Sequence, residues 1–306
     1  MSELSAIACP SCTGSRLRLV GALPRPRAFA GRHLDDELPA SDLLRCEACS
    51  LLFRFPLLSP EQYAELYRAV SAEHWPDEVS RNDWQICASY MERHAMPGAS
   101  ILDFGCHSGG LLALLGDRYS RTGIEINAGA AEAARKRTRA DVFPSLAALP
   151  AGARFDFVTA VDVVEHFENP GSLIPDLLAR VRPGGTLLIS TGDADHWLWR
   201  LVGSRWWYCY FPEHVAFLSR RWLRGWLARS ESDASLAVIH GFRYQRLPPA
   251  RYALQALQFA TYVALPRSYP ALLSKLKRAL SGEAFVGPPG SGLTADHLFI
   301  ALRKAG

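Results

Sequence analysis

Residues 101–109 read Ile-Leu-Asp-Phe-Gly-Cys-His-Ser-Gly, and an apolar, leucine-rich helical pattern follows over residues 111–115. The stretch Gly-Ile-Glu-Ile at 123–126 begins about twenty residues after Asp103. A short apolar strand, a glycine turn, a helix and a second strand ending in the acid Glu125 are typical of a parallel α/β sheet. Because such sheets bind ligands beyond the carboxyl ends of their strands, we predict a nucleoside-containing cofactor at this turn.

The glycine spacing of the turn distinguishes between two kinds of cofactor. Gly105 and Gly109 are spaced as G-x-x-x-G, whereas a pyrophosphate cradle needs G-x-G-x-x-G. A dinucleotide is therefore disfavoured. The acids Asp103 and Glu125, one at the end of each strand, suit a ligand with an amino group and a free ribose. Taken singly, Asp103 could be a strand-end cap and Glu125 a solvated turn acid.

Two later segments add to this pattern, an apolar strand and turn at 155–166 and an Arg-Pro-Gly-Gly stop before an apolar strand at 182–190. Together with the first motif, they occur in the order and spacing of one known family. Over roughly residues 97–192 the sequence resembles the class I S-adenosylmethionine-dependent methyltransferases, whose first motif usually reads D-x-G-x-G-x-G. His107 stands where that family most often has its middle glycine.

The resemblance implies a cofactor site and assigns residues to it. Asp103 and Gly105 would lie at the methionine end, Glu125 would bind the ribose hydroxyls, and Ile126 would cover the adenine. The full set that the resemblance assigns to S-adenosylmethionine is Asp103, Gly105, Cys106, His107, Gly109, Glu125, Ile126, Ser145, Leu146 and Asp162.

Four of the seven cysteines form two C-x-x-C pairs, which are Cys9 with Cys12 and Cys46 with Cys49. Paired knuckles in a chain without a secretory signal fit four thiolates around tetrahedral zinc. Since four thiolates leave no open coordination position, we expect a structural zinc. A redox dithiol pair and a coincidental spacing are the alternatives.

Composition excludes several classes of protein. The chain has 306 residues, of which 49% are hydrophobic and 10% aromatic, enough for a packed globular core. The net charge of +4 is spread along the chain, so no nucleic-acid partner is expected. There is no signal-peptide pattern and no continuous apolar run of about eighteen residues, so we expect a cytoplasmic protein without a transmembrane span.

The fold class expected from these patterns is α/β. We predict a Rossmann-like, seven-stranded methyltransferase sheet at 97–306 with a zinc ribbon at 1–58 and a helical connector at 59–96. A helical insertion at about 245–294, with helices at 250–265 and 270–280, precedes the last strand. That insertion could seal the active site, lie on a membrane or form a dimer contact, so a homodimer is one expectation.

Aromatic residues are concentrated at two places where a substrate could bind. A stretch at 193–217 follows the fifth strand of the predicted sheet, and loops at this edge commonly build substrate sites. In the connector, four aromatic residues could line a pocket, although aromatic residues at helical spacing are more often core: Tyr63, Tyr67, Trp75 and Trp84.

Two Glu-His pairs are the candidate catalytic residues, Glu165-His166 after the fourth strand and Glu213-His214 after the aromatic stretch. Both should face one crevice, where histidine can act as a base and a neighbouring carboxylate can orient it or raise its pKa. In sugar-nucleotide C-methyltransferases, which also have a four-cysteine module, similar pairs abstract a proton. In ubiquinone-biosynthesis O-methyltransferases the Val-Glu-His turn is associated with a divalent ion. A Glu-His dipeptide can also be purely structural.

The leading functional hypothesis is a methyltransferase whose partner is a small-molecule acceptor, such as a sugar, a glycan or a natural-product intermediate, methylated at oxygen or carbon. A zinc-ribbon binding protein with a methyltransferase-like scaffold domain is the alternative from a different class. A methyltransferase for RNA or protein is a third. The sequence after the fourth strand lacks the Asn/Asp-Pro-Pro-Tyr/Phe stretch of the amino-directed nucleic-acid enzymes.

Overall fold

The computed structural model of the protein describes residues 7–70, 81–245, 248–265, 268 and 292–306. Trp75, the predicted helix at 270–280 and nearly all of the glycine- and proline-rich stretch after it lie outside these residues. The predictions for those segments therefore stay predictions.

The described residues form thirteen β-strands and eight α-helices. The strands are β1 (Leu17–Ala22), β2 (Ala28–Phe29), β3 (Arg32–His33), β4 (Asp42–Cys46), β5 (Leu52–Phe55), β6 (Ser100–Phe104), β7 (Ser120–Ile124), β8 (Asp141–Phe143), β9 (Phe155–Val161), β10 (Val181–Gly192), β11 (Ala216–Phe217), β12 (Ala234–Phe242) and β13 (His297–Lys304). The helices are α1 (Pro60–Arg68), α2 (Asn82–His94), α3 (Gly110–Leu115), α4 (Ala128–Thr138), α5 (Pro170–Ala179), α6 (Trp197–Val202), α7 (Arg220–Arg229) and α8 (Pro249–Ala264).

The main sheet has seven strands in the order β12-β13-β10-β9-β6-β7-β8. Strands β6 to β10 pair in parallel, whereas β13 is antiparallel to both of its neighbours, β10 and β12. The order reverses at β6, because β7 lies on one side of it and β9 on the other. Ligands bind at such a switch point. The predicted Rossmann-like sheet is confirmed, and α8 forms the described part of the predicted insertion before the last strand.

Both faces of this sheet are buried, because successive strand residues point to opposite sides. Ile101 and Leu188 belong to the apolar cluster that includes Met91 of α2. Their neighbours Leu102 and Leu187 belong to the cluster on the other face, which includes Ile174 of α5. This two-sided burial explains why the central strands β6 and β9 and the second half of β10 are mainly apolar.

The cysteine-containing segment forms a second sheet, in the order β1-β4-β5-β11. Its last strand comes from the distant part of the chain, where Ala216 pairs with Phe53 and Phe217 with Leu52. Strand β5 lies near the end of the predicted zinc ribbon. The ribbon sheet is thus completed by β11, which lies in sequence between β10 and β12 of the main sheet.

Helix α1, in the predicted connector, begins with a capping box. Pro60 opens α1, and the Ser59 side chain accepts a hydrogen bond from the Gln62 backbone while the Gln62 side chain accepts one from the Ser59 backbone. This reciprocal capping box satisfies two backbone donors that helix formation leaves unpaired. At α7 there is a single capping bond, in which the Ser219 side chain accepts from the backbone N–H of Trp222 at 3.1 Å. None of the described helices has the length and hydropathy needed to span a bilayer.

The aromatic stretch at 193–217 differs from the open substrate loop that we expected. It forms α6 and two short 3₁₀ turns, and most of its large rings are buried in a cluster with Leu43 and Leu52 of the ribbon sheet, whereas Trp197 is exposed. The buried rings of this cluster are Trp199, Trp206, Trp207, Tyr208 and Phe217. They are therefore core between the ribbon and the main sheet, since burying large rings between two layers gains more than leaving them in solvent.

The tight turn after β6 depends on Gly105, and substituting it tests the geometry of the turn. Gly105 has φ +77°, and a Cβ there would lie 2.5 Å from Cγ2 of Val163. Gly98 has almost the same φ, +76°, and an added Cβ would meet nothing within 4 Å. Gly98→Ala should reduce the free energy of unfolding by about 1 kcal/mol through backbone strain alone. Gly105→Ala should reduce it by about 2 to 4 kcal/mol, because the clash adds to the strain.

Urea denaturation of the two variants beside the wild-type protein measures both values. Equal losses for the two substitutions would show that Val163 does not confine the turn.

Candidate functional site

The turn between β6 and α3 brings the two predicted strand-end acids together. The backbone N–H groups of Gly105 and Cys106 both donate to the carbonyl of Ile124 at 2.9 Å, which ties the turn to the end of β7. The carboxylate of Glu125 accepts from the backbone N–H of His107 at 2.9 Å and from that of Asn127 at 2.7 Å. Glu125 is therefore held in one orientation at the mouth of the turn.

Asp103 lies near the end of β6, on the strand next to the one that Glu125 follows. Its side chain is buried and accepts a hydrogen bond of 2.6 Å from the hydroxyl of Thr159 on β9. Burial raises the pKa of Asp103 to about 7, because a low-dielectric environment disfavours the charged form. The group is therefore poised to exchange a proton near neutral pH.

The residues of the turn itself have unusual backbone geometry. Gly105 and Gly109 have φ values of +77° and +79°, and His107 has φ +46°. A non-glycine residue in this left-handed region is uncommon, and such strain occurs often at functional sites. The thiol of Cys106 is directed at the sheet, because a Cβ on Gly123 would meet its sulfur at 2.5 Å. Cys106 can therefore offer a ligand only its backbone.

The predicted adenine-side residues border the same edge of the sheet. Ile126, directly after Glu125, is 81% exposed, a high value for an isoleucine beside a strand end. Ser145 and Leu146 follow β8, the serine exposed and the leucine half-buried. An exposed apolar side chain next to a fixed carboxylate suits a ligand with a flat ring and hydroxyl groups.

Asp162, directly after β9, is paired with a residue that the sequence did not single out. Arg81 at the start of α2 donates to the carboxylates of both Asp162 and Asp83. Its guanidinium carbon lies 4.8 Å from the ring centre of Trp84 and 5.5 Å from that of Tyr244. The contact between Arg81 and Asp162 joins residues 81 positions apart, and no local pattern could have indicated it.

The two predicted histidines lie together, with the ring centres of His166 and His214 5.1 Å apart. Nδ1 of His166 lies 2.9 Å from the hydroxyl of Tyr67, on α1. Nδ1 of His214 lies 3.0 Å from the carbonyl oxygen of Tyr208. Since a carbonyl only accepts, Nδ1 of His214 carries the hydrogen and Nε2 carries the lone pair.

Burial decides the charge of this pair. It lowers the pKa of His166 to about 4 and holds the pKa of His214 well below its ordinary value. Both rings are therefore neutral at pH 7. This differs from our expectation that a neighbouring carboxylate could raise the histidine pKa, because burial lowers the pKa of both rings and the nearby His166 and Arg54 lower that of His214 further.

The two glutamates of the Glu-His pairs have different surroundings. Glu165 is buried and accepts from the hydroxyls of Tyr208 and Thr191, the latter at 2.9 Å, and burial raises its pKa to about 8. The carboxylate of Glu213 accepts from the backbone N–H of Ala30, in the ribbon, at 3.1 Å. Glu213 thus fixes its segment to the β2–β3 turn. His214 is oriented by the carbonyl of Tyr208 and not by Glu213.

Two groups of side chains in the described residues have the chemistry of metal ligands. Glu165, His166 and His214 each offer one donor atom, and these atoms lie within 4.8 Å of one another.

The second group is Cys9, Cys12, Cys46 and Cys49, whose sulfur atoms also lie within 4.8 Å of one another. The Cys9–Cys49 and Cys12–Cys46 sulfur separations are 3.6 and 3.5 Å. Four sulfurs at about 2.3 Å from one ion would be separated by about 3.8 Å. All four cysteines are free thiols, so the cluster fits tetrahedral zinc.

Comparison with known proteins agrees with this geometry. A family described as "Methyltransferase domain" matches residues 88–231. Ribosomal protein L11 methyltransferase of Burkholderia mallei is 37% identical over 113 residues, which cover 35% of this chain and 36% of that protein. The L11 methyltransferase of Ralstonia nicotianae is 35% identical over the same length and coverage. The chain thus spans little more than a third of the length of these relatives.

Among solved structures, the fold is similar to that of the 1,6-didemethyltoxoflavin-N1-methyltransferase of Burkholderia thailandensis, which has bound S-adenosylhomocysteine. The TM-score is 0.50 at 15% sequence identity, and the match covers 87% of this chain and 96% of that one. At this identity the likeness shows the fold alone. The family model thus matches residues 88–231, and the sheet to which these residues contribute has a Rossmann-like strand order.

Proposed function

We propose that this protein is an S-adenosylmethionine-dependent methyltransferase acting on a small-molecule acceptor at oxygen or carbon. The observation that carries the proposal is the pair of acids at adjacent strand ends, Asp103 and the fixed carboxylate of Glu125, around a tight turn at the switch point of the sheet.

The chain's own residues suit each part of the cofactor, which supplies an electrophilic methyl group when bound. Asp103 pairs with the amino group of the methionine end, and the backbone of the Gly105–Gly109 turn lies against it. Glu125 accepts hydrogen bonds from the ribose hydroxyls. Ile126, with Ser145 and Leu146, borders the adenine.

His214 is the proposed base. Its Nε2 lone pair is available at neutral pH, because burial keeps the ring uncharged and the Tyr208 carbonyl holds the proton on Nδ1. An acceptor hydroxyl or acidic C–H group placed against Nε2 would give up its proton to that nitrogen as the acceptor atom bonds to the methyl carbon, whose bond to the sulfonium sulfur would break to leave a neutral thioether. His166, fixed by Tyr67, forms the adjacent wall, and the buried Glu165 holds Tyr208 through its hydroxyl.

The depth of the histidine pair favours a small acceptor. His214 is only 6% exposed, so an acceptor must enter a cleft to reach it. A side chain on the surface of a folded protein reaches such a group less easily than a small metabolite does. A macromolecular acceptor, as the name of the L11 relatives indicates for those proteins, is the competing assignment, although that likeness covers only 113 residues.

A divalent ion at Glu165, His166 and His214 is a second possibility for the chemistry. The separation of their donor atoms favours it, and such an ion would lower the pKa of a bound acceptor hydroxyl. Titration with Mn²⁺, followed by the paramagnetic broadening of histidine ring signals, tests it without any acceptor. Broadening of His166 and His214 at micromolar Mn²⁺ would support an ion, and unchanged signals would leave His214 as the base.

The same proposal assigns a structural Zn²⁺ to Cys9, Cys12, Cys46 and Cys49. With four thiolate ligands such an ion has no open position for a substrate, so it stabilises the ribbon and takes no part in methyl transfer.

Removing the carboxylate of Glu125 tests the cofactor site. Glu125→Ala should weaken the binding of S-adenosylhomocysteine by about 1 to 3 kcal/mol, because the ribose hydroxyls lose a charged acceptor. Glu132→Ala is the matched control, since Glu132 lies on the solvent side of α4 and pairs only with Arg135 and Lys136 in the described structure. Isothermal titration measures both affinities. Absence of binding to the wild-type protein would overturn the proposal and favour the scaffold alternative.

The pH dependence of cofactor binding tests Asp103. With a pKa of about 7, the carboxyl is mostly protonated at pH 6 and mostly ionised at pH 8. Pairing with an ammonium group requires the ionised form, so binding below pH 7 must release a proton and affinity must increase with pH. We expect affinity for S-adenosylhomocysteine to increase about tenfold from pH 6 to pH 8. Asp103→Asn should remove this dependence. A flat wild-type profile would contradict the assignment.

Substituting His214 tests the base. His214→Gln should reduce methyl transfer by about 100-fold or more while leaving the affinity for S-adenosylhomocysteine unchanged. Transfer is measured with radiolabelled S-adenosylmethionine against a panel of nucleotide-activated sugars and phenols. His240→Gln, on exposed strand β12, is the control and should retain full activity. An active His214→Gln enzyme would transfer the role to His166.

A further inference from the structure

Arg54, on β5 of the ribbon, is a buried cation with an unusual set of partners. The residue is 5% exposed, and all of its described hydrogen bonds are to neutral acceptors. Nη1 donates to the Ser41 hydroxyl at 2.7 Å, and Nη2 donates to the carbonyls of Cys209 at 3.0 Å and Phe211 at 3.1 Å. Nε donates to the carbonyl of His214 at 3.2 Å.

Burying a guanidinium at this position is energetically unfavourable. Removing the charge from water is unfavourable, and neutral carbonyls compensate for it less than a carboxylate would. An apolar side chain of similar size would pack between the two sheets without that cost. The guanidinium has several N–H donors in a rigid plane, so it can hold several carbonyl oxygens at fixed positions at once. An apolar side chain cannot do this.

The three carbonyls belong to one short segment, 209–214, which ends in the proposed base. The carbonyl of Tyr208, directly before this segment, accepts from Nδ1 of His214 and so determines its tautomer. Arg54 thus holds both ends of the loop that closes between Tyr208 and His214. A change in the shape of this loop would move the acceptor oxygen away from Nδ1.

Backbone hydrogen bonds connect Arg54 to the segment of the second histidine, through Glu165. The N–H of Arg54 donates to the carbonyl of Val215 at 2.8 Å, and the N–H of Val215 donates to the carbonyl of Glu165, also at 2.8 Å. Ala30, on the β2–β3 turn of the ribbon, donates to the Glu213 carboxylate. Two ribbon residues, Arg54 and Ala30, therefore bind the segment around Glu213 and His214, and Val215 connects that segment to Glu165.

The cysteine cluster lies at the other end of the hairpin that carries Arg54. Cys46 ends β4, Cys49 lies in the turn before β5, and the N–H of Cys46 donates to the carbonyl of Leu51 at 2.9 Å. Along the hairpin, Arg54 pairs in register with Leu43. Metal ligands at the turn would therefore set the position of the strand from which Arg54 projects.

We propose that the ribbon is a built-in part of the catalytic site and that Arg54 is the positioning residue that holds segment 209–214, so that His214 presents an unprotonated Nε2 to the acceptor. The inference rests on the proposed function of His214 as the base. It assigns the ribbon a role inside the active site, in contrast to an appended module that binds a separate partner.

The experiment compares Arg54→Lys with Arg45→Lys in the full-length, zinc-loaded protein. Lysine keeps the charge but places its donors around a single atom, so it cannot hold the three carbonyls as the guanidinium does. Arg45 is the matched control, because it is a half-buried arginine on adjacent β4 that faces Asp195 at 4.0 Å. The readout is the long-range ¹H–¹⁵N spectrum of the histidine rings, with the His214 signals assigned by loss in His214→Gln.

We expect the wild-type protein and Arg45→Lys to show the Nδ1–H pattern for His214, and Arg54→Lys to show averaging between the two tautomers. Methyl transfer by Arg54→Lys should decrease at least about tenfold in kcat with KM for S-adenosylmethionine unchanged. A wild-type His214 signal and wild-type kcat in Arg54→Lys would overturn the inference.

Two further variants test the inference independently in case Arg54→Lys fails to fold. Ser41→Ala removes one of the four acceptors of Arg54 and should produce a smaller change in the same His214 signal, with the melting temperature nearly unchanged. Cys12→Ser should lose zinc by elemental analysis and change the His214 signal in the same direction as Arg54→Lys. Loss of zinc with a wild-type His214 signal would show that the ribbon does not act on the site.

The outcomes separate this inference from the proposed function. Failure of the wild-type protein to bind S-adenosylhomocysteine would reject the methyltransferase assignment, whereas the His214 spectra report the Arg54 contacts whether or not a cofactor binds.

Discussion

The parallel pairing of β6 with β7 on one side and β9 on the other is the constraint on which the site depends. In the register of these strands Asp103 lies opposite Gly123 and Thr159, so the acid is buried between its neighbours. Since parallel strands end at one edge, Glu125 and Asp162 are brought to the same crevice as Asp103. Every side chain assigned to the cofactor depends on this register, because a slip of one residue would turn it to the other face.

Desolvation governs the chemistry available at that edge. Burial raises the pKa of Asp103 and of Glu165 and lowers the pKa of His166 and of His214. Each shift disfavours the charged form, so the two histidines are neutral at pH 7 and Glu165 is mostly protonated, while Asp103 is close to half ionised. The hydroxyls of Thr159 and Tyr208 and the Tyr208 carbonyl complete the site by fixing where those groups point.

The ribbon and the methyltransferase domain are joined through backbone as well as side chains. Strand β11 belongs to the ribbon sheet by its hydrogen bonds, and it follows directly after His214 in sequence. The aromatic cluster of Trp199, Trp206 and Trp207 fills the space between the two sheets. Because the two sheets are joined in this way, the side chain of Arg54, on β5 of the ribbon, can bind the loop 209–214 that follows β10 of the main sheet.

Local patterns in the sequence were sufficient to predict the sheet, its strand-end acids and the paired cysteines. These features rest on short-range signals: apolar runs, glycines at turns, and thiols separated by two residues. The contacts of Glu213 with Ala30, of Arg81 with Asp162 and of Arg54 with the His214 segment follow from the folded arrangement and not from any local pattern. Such contacts join residues tens to hundreds of positions apart, and their partners are set by how the two sheets pack, which local patterns do not encode.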